Sequence, residues 1–221
     1  MKKKAPLSIA PVRDADDPIE LLAPYRAWSP RRLPDPRTAP LAEIADGLTR
    51  IVETEGPVLD HRAFRLYTAA SGLSRAMSAV QARYRKALKR ALDARRLEGE
   101  PDGPDATPLV LRAAGKPALL LRERGDRTLE EIPLAELAAL MRKLELDRGE
   151  SSASDEERCR RVLAVHELIR LTAKSKDRLL SACARAALPR WTNAITNSFE
   201  PEGPPPKLAR PRRTFRRLRH G

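Results

Sequence analysis

Two cysteines in 221 residues, Cys159 and Cys183, are too few for the disulfide frameworks that hold small secreted domains together, and both read as reduced core thiols within helix-like runs. No uninterrupted apolar run approaches the ~18 residues that a membrane-spanning helix needs. The start, MKKKAPLSIAPV, is basic but is not followed by the ~7–15 apolar residues of a signal peptide, so a cytoplasmic chain with no membrane partner is expected. Catalytic motifs are missing as well. With no P-loop pattern, no HExxH and no GxSxG, nucleotide hydrolysis, zinc-peptidase and serine-hydrolase chemistry have no anchor. Histidine is scarce, and His61, His166 and His220 lie far apart. Cys159 and His166 could share a helix face near Cys183, but two thiols and one imidazole read more readily as core and surface residues than as a zinc site. Asp14, Asp16 and Asp17 sit in a Pro-rich arm that could not hold a metal rigidly. The expectation is a non-enzymatic protein without cofactor or metal.

What the chain has in abundance is positive charge. The formal net charge is +13, which favours polyanionic partners such as nucleic acid or an acidic protein surface. Arginine supplies 33 of the 43 basic residues, and an Arg- and Ala-rich chain is also what a high-GC coding bias gives. Clustering favours nucleic acid. Arg75, Arg83, Arg85, Lys86, Lys89, Arg90, Arg95 and Arg96 stand against Asp93 and Glu98 alone.

Residues 1–39 form a Pro-rich arm, too interrupted for more than a turn of helix. Tyr25 and Trp28 are its aromatic pair and are expected to pack back onto the body, with stacking on a nucleobase as the alternative. From Pro40 onward the apolar spacing is helical. A first helix carries Leu41, Ile44, Leu48 and Ile51 and ends at Gly56-Pro57. A second carries Leu59, Ala63, Leu66, Tyr67 and Ala70 and is closed by Ser71 and Gly72. A third is predicted from Ser74, with Leu73, Met77, Val80, Tyr84, Ala87 and Ala91 inside and Ser78, Gln81, Ala82, Arg85, Lys86 and Lys89 outside. Small, polar and cationic residues on an exposed helix suit entry into a major groove, where Gln and Arg read base edges and Lys and Arg meet phosphates. Residues 98–108 read as a loop, and 109–112 with 118–122 as a hairpin turning at Gly115. Lys116 in that turn, with Arg112, Arg122 and Arg124 at the strand ends, suits phosphate contacts from a wing.

Further helices are expected over 132–146, from Ser154 to about His166, and over 173–187, the second opened by a Ser154/Glu157 capping box. A shift of 95 positions lays Gly72–Ala76 on Glu167–Leu171 and superposes the flanking helices, which raises the possibility of two related helical units. Trp191, Ile195 and Phe199 have the spacing of a short docking helix, and residues 200–206 that of a stiff spacer. The tail from Lys207 to His220 contains no acidic residue, as expected for salt-sensitive contact with phosphates.

Four stretches together resemble a known family. They are Leu33–Pro40, Ile51–Val58 (IVETEGPV), Arg65–Arg75 and Leu121–Pro133 (LRERGDRTLEEIP). They look like the winged-helix-like domain of unknown function at the C-terminal end of large bacterial helicase–nuclease proteins, similar versions of which stand alone in actinobacteria. The resemblance covers about residues 33–188 and implies a nucleic-acid-associated accessory module in restriction or phage defence. It supplies no catalytic residues, because the family's chemistry lies in other domains, and this chain contains no helicase or nuclease domain.

The expected fold is mainly α, a helix-turn-helix or winged helix with one short β-hairpin. Its organisation is an arm (1–39), a winged-helix-like unit (40–130), a second helical unit packed on the first (131–190), and a docking segment with basic tail (191–221). The candidate nucleic-acid-binding residues are Arg75, Ser78, Gln81, Ala82, Arg85, Lys86, Lys89 and Arg90 on the third helix, Lys116 on the hairpin, Lys174 and Lys176 on the corresponding second-unit helix, and Arg212, Arg213, Arg216 and Arg217 in the tail. Two readings follow: a module binding nucleic acid, double-stranded DNA in the first place, or an adaptor docking on a helicase or nuclease without reading DNA.

Overall fold

Pro40 sets the entry to α1 (Leu41–Glu55), whose inward face is Ile44, Ala45, Leu48, Ile51 and Val52. The helix stops where Gly56-Pro57 leaves the helical backbone, and the chain passes directly into a short strand, β1 (Val58–Leu59). Next come α2 (Asp60–Ala70), α3 (Ser78–Asp93), β2 (Leu97–Pro101) and β3 (Leu109–Ala113). A 3₁₀ turn (Leu129–Glu131), α4 (Leu134–Arg148), α5 (Asp155–Val165) and α6 (Ala173–Ala186) complete the elements seen in this computed structural model, which describes residues 22–29, 32–105, 107–148, 154–169 and 172–187. The fold is mainly α with one small antiparallel sheet, ordered β1-β3-β2. None of these helices is long and apolar enough to cross a membrane. The expected docking segment and the tail residues Arg212, Arg213, Arg216 and Arg217 lie outside the described residues.

The first apolar core gathers α1, α2, α3 and the sheet around Ile44, Leu48, Ile51, Tyr67, Tyr84 and Leu111. Close approach of α1 to α2 depends on Gly47, where an added Cβ would sit 2.5 Å from the Tyr67 ring. Phe64 and Tyr84 stack with centroids 5.2 Å apart, and the Tyr84 hydroxyl lies 3.0 Å from Thr68 Oγ1. The second core joins α4, α5 and α6 through Leu137, Leu140, Met141, Val162, Leu179 and Ala182.

Three expectations are corrected. The hairpin pairs β2 with β3, in the register Leu97↔Ala113, Gly99↔Leu111 and Pro101↔Leu109, so residues 97–101 are strand and the expected loop starts after them. Glu, Gly and Pro disfavour strands intrinsically, but β2 is an edge strand, where a proline is tolerated, and Leu97 anchors it in the core. Residues 118–122 are not its partner. The backbone of Leu121 and Glu123 instead receives the arm, with Ala23 N donating to Leu121 O (3.0 Å) and Glu123 N to Ala23 O (3.0 Å). Second, α3 begins at Ser78 rather than Ser74. Met77 is its extended N-cap residue and is 57% exposed instead of internal, while Leu88 takes an inward place. Third, Leu59 belongs to β1 and precedes α2.

The repeat is visible in the backbone. α2 and α5 coincide under the 95-residue shift at both ends, and α3 and α6 at their starts. After α2, Ser71 N, Gly72 N and Leu73 N donate to Tyr67 O, Ala69 O and Thr68 O; after α5, His166 N, Glu167 N and Leu168 N donate to Val162 O, Ala164 O and Leu163 O. Both are Schellman endings, with Gly72 at φ +79° and Glu167 at φ +54° in the left-handed position.

Candidate nucleic-acid interface

The outer face of α3 follows from its inner one. With Val80, Tyr84, Ala87, Leu88 and Ala91 buried, helical geometry turns Ser78, Gln81, Ala82, Arg85, Lys86, Lys89 and Arg90 to solvent, and all seven are exposed, as is Arg75 in the preceding turn. Arg75, Arg85, Lys86 and Arg90 form no ion pair among the described residues; Lys89 bridges Asp93 at 2.7 Å one turn on. Gln81 Nε2 donates to Ala76 O at 3.3 Å, which draws its amide toward the turn. Arg83 is turned the other way: its guanidinium donates to Pro36 O (2.6 Å) and to Ala39 O, fastening the arm.

The other predicted positions fare differently. Lys116 is exposed but lies past β3, away from the loop that joins the hairpin strands. The arginines expected to reach from a wing are engaged within the protein. Arg112 pairs with Glu98 at 2.6 Å, Arg122 is buried against Glu55 O, Pro57 O and the Glu136 carboxylate, and Arg124 donates to His166 O and Arg127 O. Glu98, Glu100, Asp102 and Asp105 give the hairpin a negative balance instead. Lys174 and Lys176 are exposed on the first turn of α6, which Thr172 caps by accepting from Ser175 N. Where α3 has Arg85 and Lys86, α6 has Leu180 and Ser181.

A buried ionic cluster escapes the sequence reading. Arg62, fully enclosed, donates to Glu55 (2.7 Å), Glu131 (2.7 Å) and Asp126 (2.7 Å), and Arg65 shares Glu131. Glu136 accepts from Arg122 (2.9 Å) and Arg127 (2.9 Å). Tyr25 closes the cluster from the arm: its hydroxyl donates to Glu55 at 2.6 Å and the Arg127 guanidinium sits 4.3 Å from its ring centre. Burial and then the Glu55 carboxylate push the Tyr25 pKa well up. Burial opposes ionisation of Glu131, yet the Thr128 backbone N–H and the Arg62 guanidinium hold it below the usual carboxylate range. Trp28 N also donates to Glu55 (2.9 Å), so both arm aromatics pack on the body as expected. Glu55 of IVETEGPV and Glu131 of LEEIP, distant in the sequence, meet on the one Arg62 guanidinium.

His166 lines a small pocket of about 260 Å³ with Arg124 and Leu22, and neither ring nitrogen has a hydrogen-bond partner among the described residues. Burial pushes its pKa down to about 4. Cys183 lies 3.7 Å from the Met141 sulfur, and burial pushes its thiol up to about 12. Among the described residues no group of three His, Cys, Asp or Glu side chains is placed to hold a metal ion.

A cleft of about 620 Å³ opens between α2, residues 73–76, the start of α3 and Thr107-Pro108. Gln81 and Arg85 belong both to it and to the outer face of α3.

No family model, no curated protein and no solved structure matches the chain.

Proposed function

We propose that this protein is a non-enzymatic module that binds nucleic acid, double-stranded DNA in the first place, through the outer face of α3. The observation that carries the reading is a set of exposed cations, Arg75, Arg85, Lys86 and Arg90, on and before α3, which form no ion pair among the described residues. The order α1-β1-α2-α3-β2-β3 with sheet order β1-β3-β2 supports reading these elements as a winged helix, in which the helix after the turn would be the one laid in the major groove. The acidic hairpin departs from a phosphate-binding wing, so contact rests on the helix, with Lys174 and Lys176 and the basic tail adding salt-sensitive affinity. The family resemblance supports a role as a cytoplasmic accessory to a separate helicase or nuclease, in restriction or phage defence.

The adaptor reading has one observation of its own: Ile169 is 98% and Leu180 39% exposed on the second unit, apolar surface of the sort that partners cover. The two are separated by titrating a labelled duplex with the wild type and with an Arg85→Ala/Lys86→Ala variant of equal thermal stability. DNA binding through α3 requires the variant to bind about tenfold or more weakly, as expected for two lost charge contacts. Equal affinity favours the adaptor.

A further inference from the structure

A helix that lies in a groove is convex and needs no cavity beside it, so the cleft next to α3 calls for its own explanation. Its volume of about 620 Å³ falls in the ~300–1,000 Å³ range of small-ligand sites. Phe64, half-buried and backed by the stacked Tyr84 ring, lines it together with the exposed His61 imidazole. Arg75 and Arg85 stand on the rim with no ion pair among the described residues, and Arg65 divides its charge with Glu131. Against these cations the rim carries Asp60, which accepts from His61 N at 2.6 Å. Gln81, held by its donor nitrogen to Ala76 O, keeps its side-chain oxygen as an acceptor.

An aromatic surface flanked by guanidinium groups is the chemistry of a nucleotide, with the base against the ring and the phosphate at the cations. A simple anion makes no use of Phe64, and an apolar ligand is poorly served by three arginines. The nucleotide could be free or part of a strand. Gln81 and Arg85 decide, because they face the cleft and the outer surface of α3 at once, so a strand followed along α3 runs on into the cleft.

We propose that the cleft between α2 and α3 receives an unpaired nucleotide of the nucleic acid bound on α3, its base against Phe64 and its phosphate at Arg75 and Arg85. The proposal deepens the α3 reading, on which it rests, and shares Arg75, Gln81 and Arg85 with it. It gives the module a preference for duplex ends with a single-stranded extension, or for junctions, over continuous duplex.

The test is fluorescence anisotropy on the full chain at one salt concentration. The probes are a blunt duplex, the same duplex with a short single-stranded extension on either strand, and a 5′-mononucleotide as competitor. The extension should raise affinity about tenfold, as one stacked base supplies. Ala69→Trp, which fills the cleft from an exposed position on α2, should abolish that gain and leave blunt-duplex affinity and melting temperature unchanged; Phe64→Leu should reduce the gain. Equal binding of blunt and extended duplexes, or a preference that survives Ala69→Trp, overturns the cleft proposal and leaves the duplex reading standing. A cleft-dependent preference in which blunt duplex does not bind at all overturns the duplex reading instead. Displacement by the mononucleotide at the concentration where the extended duplex is half-bound assigns the cleft to a free nucleotide, and failure of every probe to bind removes both readings.

Discussion

The two helical units end α2 and α5 with the same three backbone hydrogen bonds, yet the helices that follow turn different chemistry outward. In the first unit the exposed face of α3 is Gln81, Arg85, Lys86 and Lys89; at the corresponding places α6 has Lys176, Leu180, Ser181 and Ala184. Three cations on one face thus stand against one on the other. The Schellman geometry is a local backbone property that many side chains satisfy, so it survives while the outward positions change freely. A shared backbone motif therefore does not imply a shared function. The units also differ in what fastens them. The arm and Arg62 draw carboxylates from both sides into one cluster, whereas α6 reaches back through Arg178, which pairs at 2.6 Å with Asp102 at the start of the loop joining β2 and β3.

The strongest perturbation removes that common fastening. Arg62→Ala leaves Glu55 and Glu131 buried without their shared guanidinium and should cost about 3–5 kcal/mol. Urea denaturation at pH 7 followed by tryptophan fluorescence and by circular dichroism should show both units losing stability together. A loss under ~1 kcal/mol, well below what breaking a buried ion pair costs, or one confined to a single transition, contradicts a shared cluster.

The next largest effect belongs to the second unit. The folded-state pKa of His166, about 4, lies below its ordinary value of 6.5, so the unfolded chain takes up the proton first. Stability from this group is complete above pH 6.5, falls as the pH drops toward 4, and is level below that. The groups facing it are Glu136, which favours the proton, and Arg127 and Arg124, which oppose it. The full difference is about 3 kcal/mol at about 1.36 kcal/mol per pH unit. His166→Phe should remove that part of the pH dependence, and an unchanged profile between about pH 7 and pH 4.5 would tell against a buried neutral imidazole.

Smaller still is the contrast between the two outward faces in binding. Arg85→Ala should weaken duplex binding by about 1 kcal/mol and lower the salt slope by about 0.9, the signature of one lost phosphate contact. Lys176→Ala should change both by less than half as much. If the two variants prove equal in titration, both units contact the duplex to the same extent.

An effect of similar or smaller size concerns the turn between the helices. Gly72→Ala should destabilise by about 1 kcal/mol because its φ of +79° strains any side chain, and Glu167→Gly should stabilise by a few tenths to about 1 kcal/mol at φ +54°. Thermal melts that shift in the same direction for both would mean that the turns are not equivalent.

Much of this is legible in the sequence, and the reasons are specific. Apolar spacing locates α1 and α2 because each buries one continuous face, α4 is marked by an apolar run enclosed on all sides from Leu134 to Met141, and Ser154 marks the start of α5 by accepting from Glu157 N. The outward face of α3 follows from its inward one. Its start is hidden because Met77 occupies an extended cap position, where helical periodicity says nothing about a side chain. β2 is hidden because Glu98-Gly99-Glu100-Pro101 resembles a turn, and only pairing with β3 makes it a strand. The ionic cluster joins residues as distant as Tyr25 and Arg127, and no local pattern announces a contact of that range. The cleft beside α3 likewise exists only once α2, α3 and Thr107-Pro108 are assembled.

Whether α3 itself meets the nucleic acid is decided by the dependence of duplex affinity on salt concentration for the chain without residues 207–221, compared with the same chain carrying Arg75→Ala, Arg85→Ala, Lys86→Ala and Arg90→Ala. Contact through α3 requires measurable binding by the shortened chain and a fall of about 3–4 in the slope of log affinity against log salt for the fourfold variant. Identical slopes for the two proteins, or loss of all binding with the tail alone, would be incompatible with it.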